Sequence, residues 1–287
     1  MPAALQLVRA VTVHLMNDSS TLLIEAAQLA AQLDQCSVID CRFELGHAGS
    51  GADKYAQGHI PGAAYLHLEE DLSAPMGEHG GRHPLPAAEV FMGRLAGLGI
   101  ELETPLVVYD DSRCAFAARF WWMASSLGYT NVRLLNGGWA AWLENGGEVT
   151  QQLPEREAVA MPSVSDYSNC VDIEGLRAAL GRGALLVDSR EERRYLGLEE
   201  PIDPVAGHIP GALNFPWQGV TDEKGRLHSD IHQAERWPQL EPGQELVVYC
   251  GSGVTACVNI LSLALAGREN VVLYAGSWSD WCSYIDE

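Results

Sequence analysis

The chain repeats itself, and that repeat constrains its fold more than any other feature. "LIEAAQLAAQLDQCSVIDCR" (23–42) is echoed by "VDIEGLRAALGRGALLVDSR" (171–190), and "GHIPGA" stands at both 58–63 and 207–212. "PLVVYD" (105–110) pairs with "ELVVYC" (245–250), and "LLNGGWAAWLENGG" (134–147) with "LYAGSWSDWCS" (273–283). The blocks keep their order at a displacement of about 140–149 residues, which marks two copies of one structural unit. A length of 287 residues leaves ample core for each copy. A polar, proline-bearing stretch begins at Thr150, so the expected division is 1–149, a linker at 150–165, and 166–287.

Within each copy the pattern alternates. Apolar residues at helical spacing (Leu22, Ala26, Leu29, Ala30, Leu33) predict an amphipathic helix. Short apolar strands follow at Val38–Asp40 and Leu185–Asp188, then the glycine-proline turn, another helix, and buried strands at Leu106–Tyr109 and Leu246–Tyr249. A long helix and a last strand lead to the Gly-Gly-Trp or Gly-Ser-Trp turn. Strands alternating with helices give an α/β fold, each copy a parallel sheet flanked by helices. Ligands of such sheets bind at the carboxyl ends of strands, where copy one has Asp110 and copy two has Cys250. The cleft between two similar halves is a further natural ligand site.

Composition removes several function classes. The net charge is −20, with Lys54 and Lys224 the only lysines, so the surface repels nucleic acid and anionic lipid. No apolar run approaches the length of a membrane span. The first twenty residues lack the order of a secretory signal; their apolar content predicts either a helix or a start placed too early. Seven cysteines without C-x-x-C spacing speak against a structural metal site or a disulfide scaffold, and a reducing cytosol is the expected compartment.

Cys250 stands apart from the other six. It ends an apolar strand and opens the loop Gly251-Ser252-Gly253-Val254-Thr255, after which the chain turns helical. Small loops at a helix start turn several N–H groups inward as a nest for anions. A thiol there should lose its proton more easily, and the thiolate is the nucleophile. Cys36, Cys41, Cys114, Cys170, Cys257 and Cys282 are expected to be packing residues. Asp110 cannot do thiol chemistry, so copy two is the active copy and copy one a retired one.

The paired "GHIPGA" blocks, the loop "CGSGVTA", the "GSW" turn and "VVYD" in the first half resemble the tandem-domain rhodaneses, from about residue 22 onward. The loop resembles the 3-mercaptopyruvate branch, because thiosulfate enzymes typically carry basic residues there. The resemblance implies a sulfurtransferase that forms a persulfide on Cys250, without metal or organic cofactor. It implies small-molecule donors and acceptors, with cyanide, a small thiol or a thioredoxin-like protein taking the sulfur. It also implies that Arg190 of "VDSR" holds the donor carboxylate, and that Ser252, His83 of "GRHPLP" and Glu69 form a proton relay across the two copies. The second arginine of the branch would fall at Leu196; Arg194 is the candidate substitute, in "RRYLG", wording closer to thiosulfate enzymes. Thiosulfate is therefore the alternative donor. His59 and His208 occur in both copies and are expected to fix the turns. Phosphatase chemistry on this fold needs an arginine six or seven residues after the cysteine, where Ala256 and Cys257 stand. A sulfur-sensing module would need a second exposed thiol; Cys257, expected two turns into the following helix and facing the core, disfavours it.

Overall fold

The structure is a computed structural model that describes residues 19–237, 241, 243–268 and 270–285. The expectation for the start of the chain falls, except for Ser19 and Ser20, outside the described residues. Copy one runs α1 (Ser19–Leu22), β1 (Leu23–Ile24), α2 (Ala26–Ala31), β2 (Ser37–Asp40), α3 (Ser50–Gln57), β3 (Ala64–Tyr65), α4 (Ala88–Gly97), β4 (Leu106–Tyr109), α5 (Ala117–Ser126), β5 (Val132–Leu135) and α6 (Gly138–Glu144). Copy two runs β6 (Cys170–Val171), α7 (Ile173–Gly181), β7 (Leu185–Asp188), α8 (Glu192–Tyr195), β8 (Leu213–Asn214), α9 (Asp230–Glu235), β9 (Leu246–Tyr249), α10 (Ala256–Leu265), β10 (Val271–Tyr274) and α11 (Ser277–Cys282). Each forms a parallel five-stranded sheet, ordered β1-β5-β4-β2-β3 and β6-β10-β9-β7-β8. The central strands β4 and β9 are apolar at every position because helices cover both faces.

The first expected helix is broken. Leu22 ends α1, Leu23 and Ile24 pair in parallel with Leu134 and Leu135, and the helix resumes at Ala26 under a Glu25–Gln28 capping box. The apolar residues satisfy either period, and the open edge of β5 decides for a strand.

One hydrophobic cluster runs through both copies. Phe120 and Met123 of α5 belong to the same buried group as Ile260 and Leu261 of α10, while the outer face of each sheet has its own smaller cluster. The stretch after α6 lies along copy one. Thr150 exchanges both backbone hydrogen bonds with His59, Arg156 donates to Ser37 Oγ and the Gly62 carbonyl, and Val159 N–H donates to Ala96.

The repeated blocks meet at one corner in each copy. In copy one Arg42 makes a bidentate ion pair with Asp40, donates to the Gly58 carbonyl and lies 4.4 Å from the Trp139 ring. Tyr109 donates to the same Asp40 at 2.6 Å. In copy two Arg190 pairs with Asp188, donates to Gly207 and lies 4.7 Å from Trp278, and Tyr249 bonds Asp188. His59 and His208 each donate from Nδ1 to the carbonyl of a tyrosine on which they stack, Tyr55 and Tyr195, at 2.8 Å. Asp40 and Arg42 are buried, so removing one partner strands the other. Arg42→Met is expected to destabilise the chain by about 3–5 kcal/mol, measured as a lower midpoint of urea unfolding; an unchanged midpoint would show that the pair is dispensable.

Candidate active site

Strand β9 delivers Cys250 to the carboxyl edge of the sheet, almost fully buried at 1 % exposure. Its N–H donates to Ser277 Oγ at 3.1 Å, and its carbonyl accepts from Trp278 N–H at 3.0 Å. The Gly251 carbonyl accepts from Ser279 N–H at 2.9 Å, so the peptides beside the thiol are pinned to the start of α11. Gly253 has φ +75°, and a Cβ there would collide with the Ala275 carbonyl, so glycine is required on both counts. Among the described residues no protein acceptor takes the N–H of Gly251, Ser252, Gly253, Val254 or Thr255.

Copy one shows what such a loop does with an anion. Asp110 Oδ1 accepts from the N–H groups of Ser112 (2.8 Å) and Cys114 (3.0 Å). Its Oδ2 accepts from those of Phe116 and Ala117, both at 2.9 Å. Burial pushes the carboxyl up to about 6 even against these stabilising bonds. In the register of the paired "VVYD" and "VVYC" blocks, those donors correspond to residues 252, 254, 256 and 257. Cys257 N–H is turned to the Val254 carbonyl instead. Where copy one carries its own carboxylate, copy two carries a thiol before an open nest.

Three side chains from copy one complete the site. His83 Nδ1 lies 2.8 Å from Ser252 Oγ, and both residues are buried. Burial first, then the nearby Arg119 and Arg82 cations, push this imidazole down to about 4, so it is neutral at physiological pH. Arg119 of α5 is fully buried and donates to the carbonyls of Gly253 (3.1 Å), His83 (3.1 Å) and Leu72 (3.3 Å). It ties the cysteine loop to the histidine segment. Cys250, Ser252, His83, Arg82, Arg194 and Trp217 line a cavity of about 540 Å³ between the copies. A neighbouring cavity of about 670 Å³ shares His83, Arg82 and Ser252 with it.

The arrangement differs from expectation at three residues. Arg190 lines the cavity but is taken up by Asp188, Glu200 and the Gly207 carbonyl. Arg42 repeats the aspartate and carbonyl partners in the copy that has Asp110 at the position of Cys250, so this is a framework arginine rather than an open anchor. Arg194 is the more open one: its Nε and Nη2 meet Glu200, its Nη2 also Asp203, and its Nη1 lies 3.4 Å from the position of a Gly251 Cβ. Glu69 is exposed and lines the neighbouring cavity; its N–H donates to His67 Nδ1, and no bond joins it to His83. Cys257 stands in the first turn of α10, not two turns in, with its thiol 3.4 Å from the Gly253 carbonyl and pushed up to about 12 by burial. Among the described residues no group of three or more histidine, cysteine or acidic side chains is placed to hold a metal ion.

Arg82 and Arg119 escaped the sequence reading. Arg119 had a signal: a cation in "AARFWWM" on a buried helix must find acceptors in the interior. Arg82 had a weaker one, a scarce basic residue beside His83.

Residues 25–145 and 172–284 each match the family model described as "Rhodanese-like domain". The chain is similar to a Pseudomonas aeruginosa protein named a probable 3-mercaptopyruvate sulfurtransferase, 43% identical over 92% of this chain and 95% of the relative. A Mycobacterium tuberculosis protein named a putative thiosulfate sulfurtransferase is 37% identical over 93% and 96%. The solved 3-mercaptopyruvate sulfurtransferase from Leishmania major superposes with a TM-score of 0.80 at 27% identity, covering 91% of this chain and 74% of that one.

The imidazole titration has a consequence for stability. His83 is held near 4 in the fold against about 6.5 in the unfolded chain, so the unfolded state binds more protons between those values. Stability therefore rises with pH through that window and is lost as pH falls through it. His83→Gln is expected to flatten unfolding free energy against pH between about 6.5 and 4; an unaltered profile would mean that the histidine does not carry the dependence.

Proposed function

The chain belongs to the rhodanese family, and from that footing we propose that it moves sulfane sulfur from 3-mercaptopyruvate through a persulfide on Cys250. One observation carries the reading: the nest that holds a carboxylate in copy one stands open beside a thiol in copy two, facing a cavity.

The Cys250 thiolate attacks the donor sulfur, the carbon–sulfur bond breaks, and its electron pair leaves on the pyruvate enolate. The enolate takes a proton from Ser252, which is replenished through the neutral His83 imidazole. Sulfur and its proton stay on Cys250 as the persulfide, under the N–H groups of residues 251–255. Arg194, rather than Arg190, receives the donor carboxylate, because its Nη1 faces the loop. Glu69, which lines the neighbouring cavity and has no bond to His83, stands outside this relay. A small thiol, cyanide or a thioredoxin-like reductant then removes the outer sulfur. A reducing cytosol suits a free thiol cycle of this kind.

The relatives differ in the donor that their names state, so the donor comparison is the decisive assay. With cyanide as acceptor, 3-mercaptopyruvate is expected to turn over faster than thiosulfate, and Cys250→Ser to abolish turnover with both. Mass spectrometry of the Cys250 peptide after donor alone should show one added sulfur atom. Arg194→Ala should raise KM for mercaptopyruvate by about tenfold or more. Faster turnover with thiosulfate would overturn the donor, and no added sulfur on Cys250 would overturn the mechanism.

A further inference from the structure

A chain of alternating charges runs beside the cavity that Cys250 lines. Asp188 pairs with Arg190, Arg190 with Glu200 at 3.2 Å, Glu200 with Arg194 at 2.7 Å, and Arg194 with Asp203 at 3.1 Å. The last link crosses between the copies: Asp203 accepts from Arg82 Nη1. Three guanidinium groups and three carboxylates balance before any ligand enters.

The outer end of this chain is unsaturated. Arg82 Nη1 is committed to Asp203, but Nη2 has no protein acceptor among the described residues. Arg194 Nη1 has none either. Both nitrogens face one spot: Arg82 Nη2 lies 3.2 Å, and Arg194 Nη1 3.4 Å, from where a Gly251 Cβ would be. Gly251 leaves that spot empty beside Cys250. Asp203, bonded to both arginines, fixes their spacing. Arg82 is also the more open of the two, its side chain 25% exposed against 13% for Arg194.

We propose that Arg82, contributed by the copy that lacks the cysteine, is a specificity-determining residue that clamps the donor's carboxylate jointly with Arg194. Two donors from separate guanidinium groups recognise a planar carboxylate better than one. Because the surrounding charges already cancel, the clamp rests on its two directed N–H groups rather than on surplus positive charge. This deepens the proposed function and rests on it for the identity of the donor.

The test uses alkylating agents of similar size that differ in charge. Iodoacetate carries a carboxylate and iodoacetamide does not, and the Cys250 peptide is followed by mass spectrometry in the full-length protein. Arg82→Met is expected to lower the iodoacetate-to-iodoacetamide rate ratio at Cys250 by about tenfold, with the iodoacetamide rate little changed. Asp203 keeps Arg194 as a partner in that variant, so no buried charge is orphaned. Arg82→Lys, which retains the charge without the fork, should give an intermediate ratio. An unchanged ratio, or an equal loss with both reagents, overturns the clamp. Should the ratio fall while KM for mercaptopyruvate stays put, the clamp stands and the proposed donor falls.

Discussion

A buried aspartate–arginine pair two residues apart organises each half of this protein. Neither charge could stay inside unpaired, since the cost of desolvation runs to several kcal/mol per ion. Asp40 and Arg42 therefore gather acceptors and rings from everywhere the chain can supply them: the carbonyl before "HIPGA", the Tyr109 hydroxyl, the Trp139 face. Those groups sit in the repeated blocks, so the repeats mark the parts of the chain that one ion pair demands. In copy two the same demand captures Arg190, which is why an arginine beside the site is unavailable as an open anchor.

The two copies differ at one strand end, where copy one has Asp110 and copy two has Cys250. Both build a nest of backbone donors there. Copy one fills it with Asp110, whose carboxylate takes four N–H groups. Copy two leaves its nest open and puts a thiol beside it. Copy one nevertheless remains part of the site, because α5 and α10 share one core. That contact brings Arg119 under the Gly253 carbonyl and His83 against Ser252. Copy one supplies walls of the cavity, a neutral imidazole and cations.

Much of this was legible in the residues. The duplicated α/β architecture, the strand-end positions of Asp110 and Cys250, and the small-residue loop follow from pattern and spacing. The His83–Ser252 pairing came from family resemblance, and the structure brings the two side chains together although 169 positions separate them. The short edge strands β1 and β6 were illegible, since two apolar residues fit a helix as well as a strand until a neighbouring edge claims them. The partners of the arginines were illegible for a related reason. A guanidinium's role depends on which acceptors surround it, and Arg190 and Arg194 lie four positions apart with opposite fates.

What the sequence by itself determined is therefore the local and periodic part: two copies, parallel sheets, a cysteine at the carboxyl edge of one and an aspartate at that of the other. These follow from short-range preferences and from the burial of apolar runs, which nearby residues specify. What only the tertiary structure decided is the distribution of charge around the thiol. Arg190 is locked into the framework, Arg194 turns Nη1 toward the cysteine loop, Arg82 arrives from the other copy, and Glu69 lines the neighbouring cavity. Electrostatic roles depend on distance and burial in space, and the segments that set them meet only when the two halves pack.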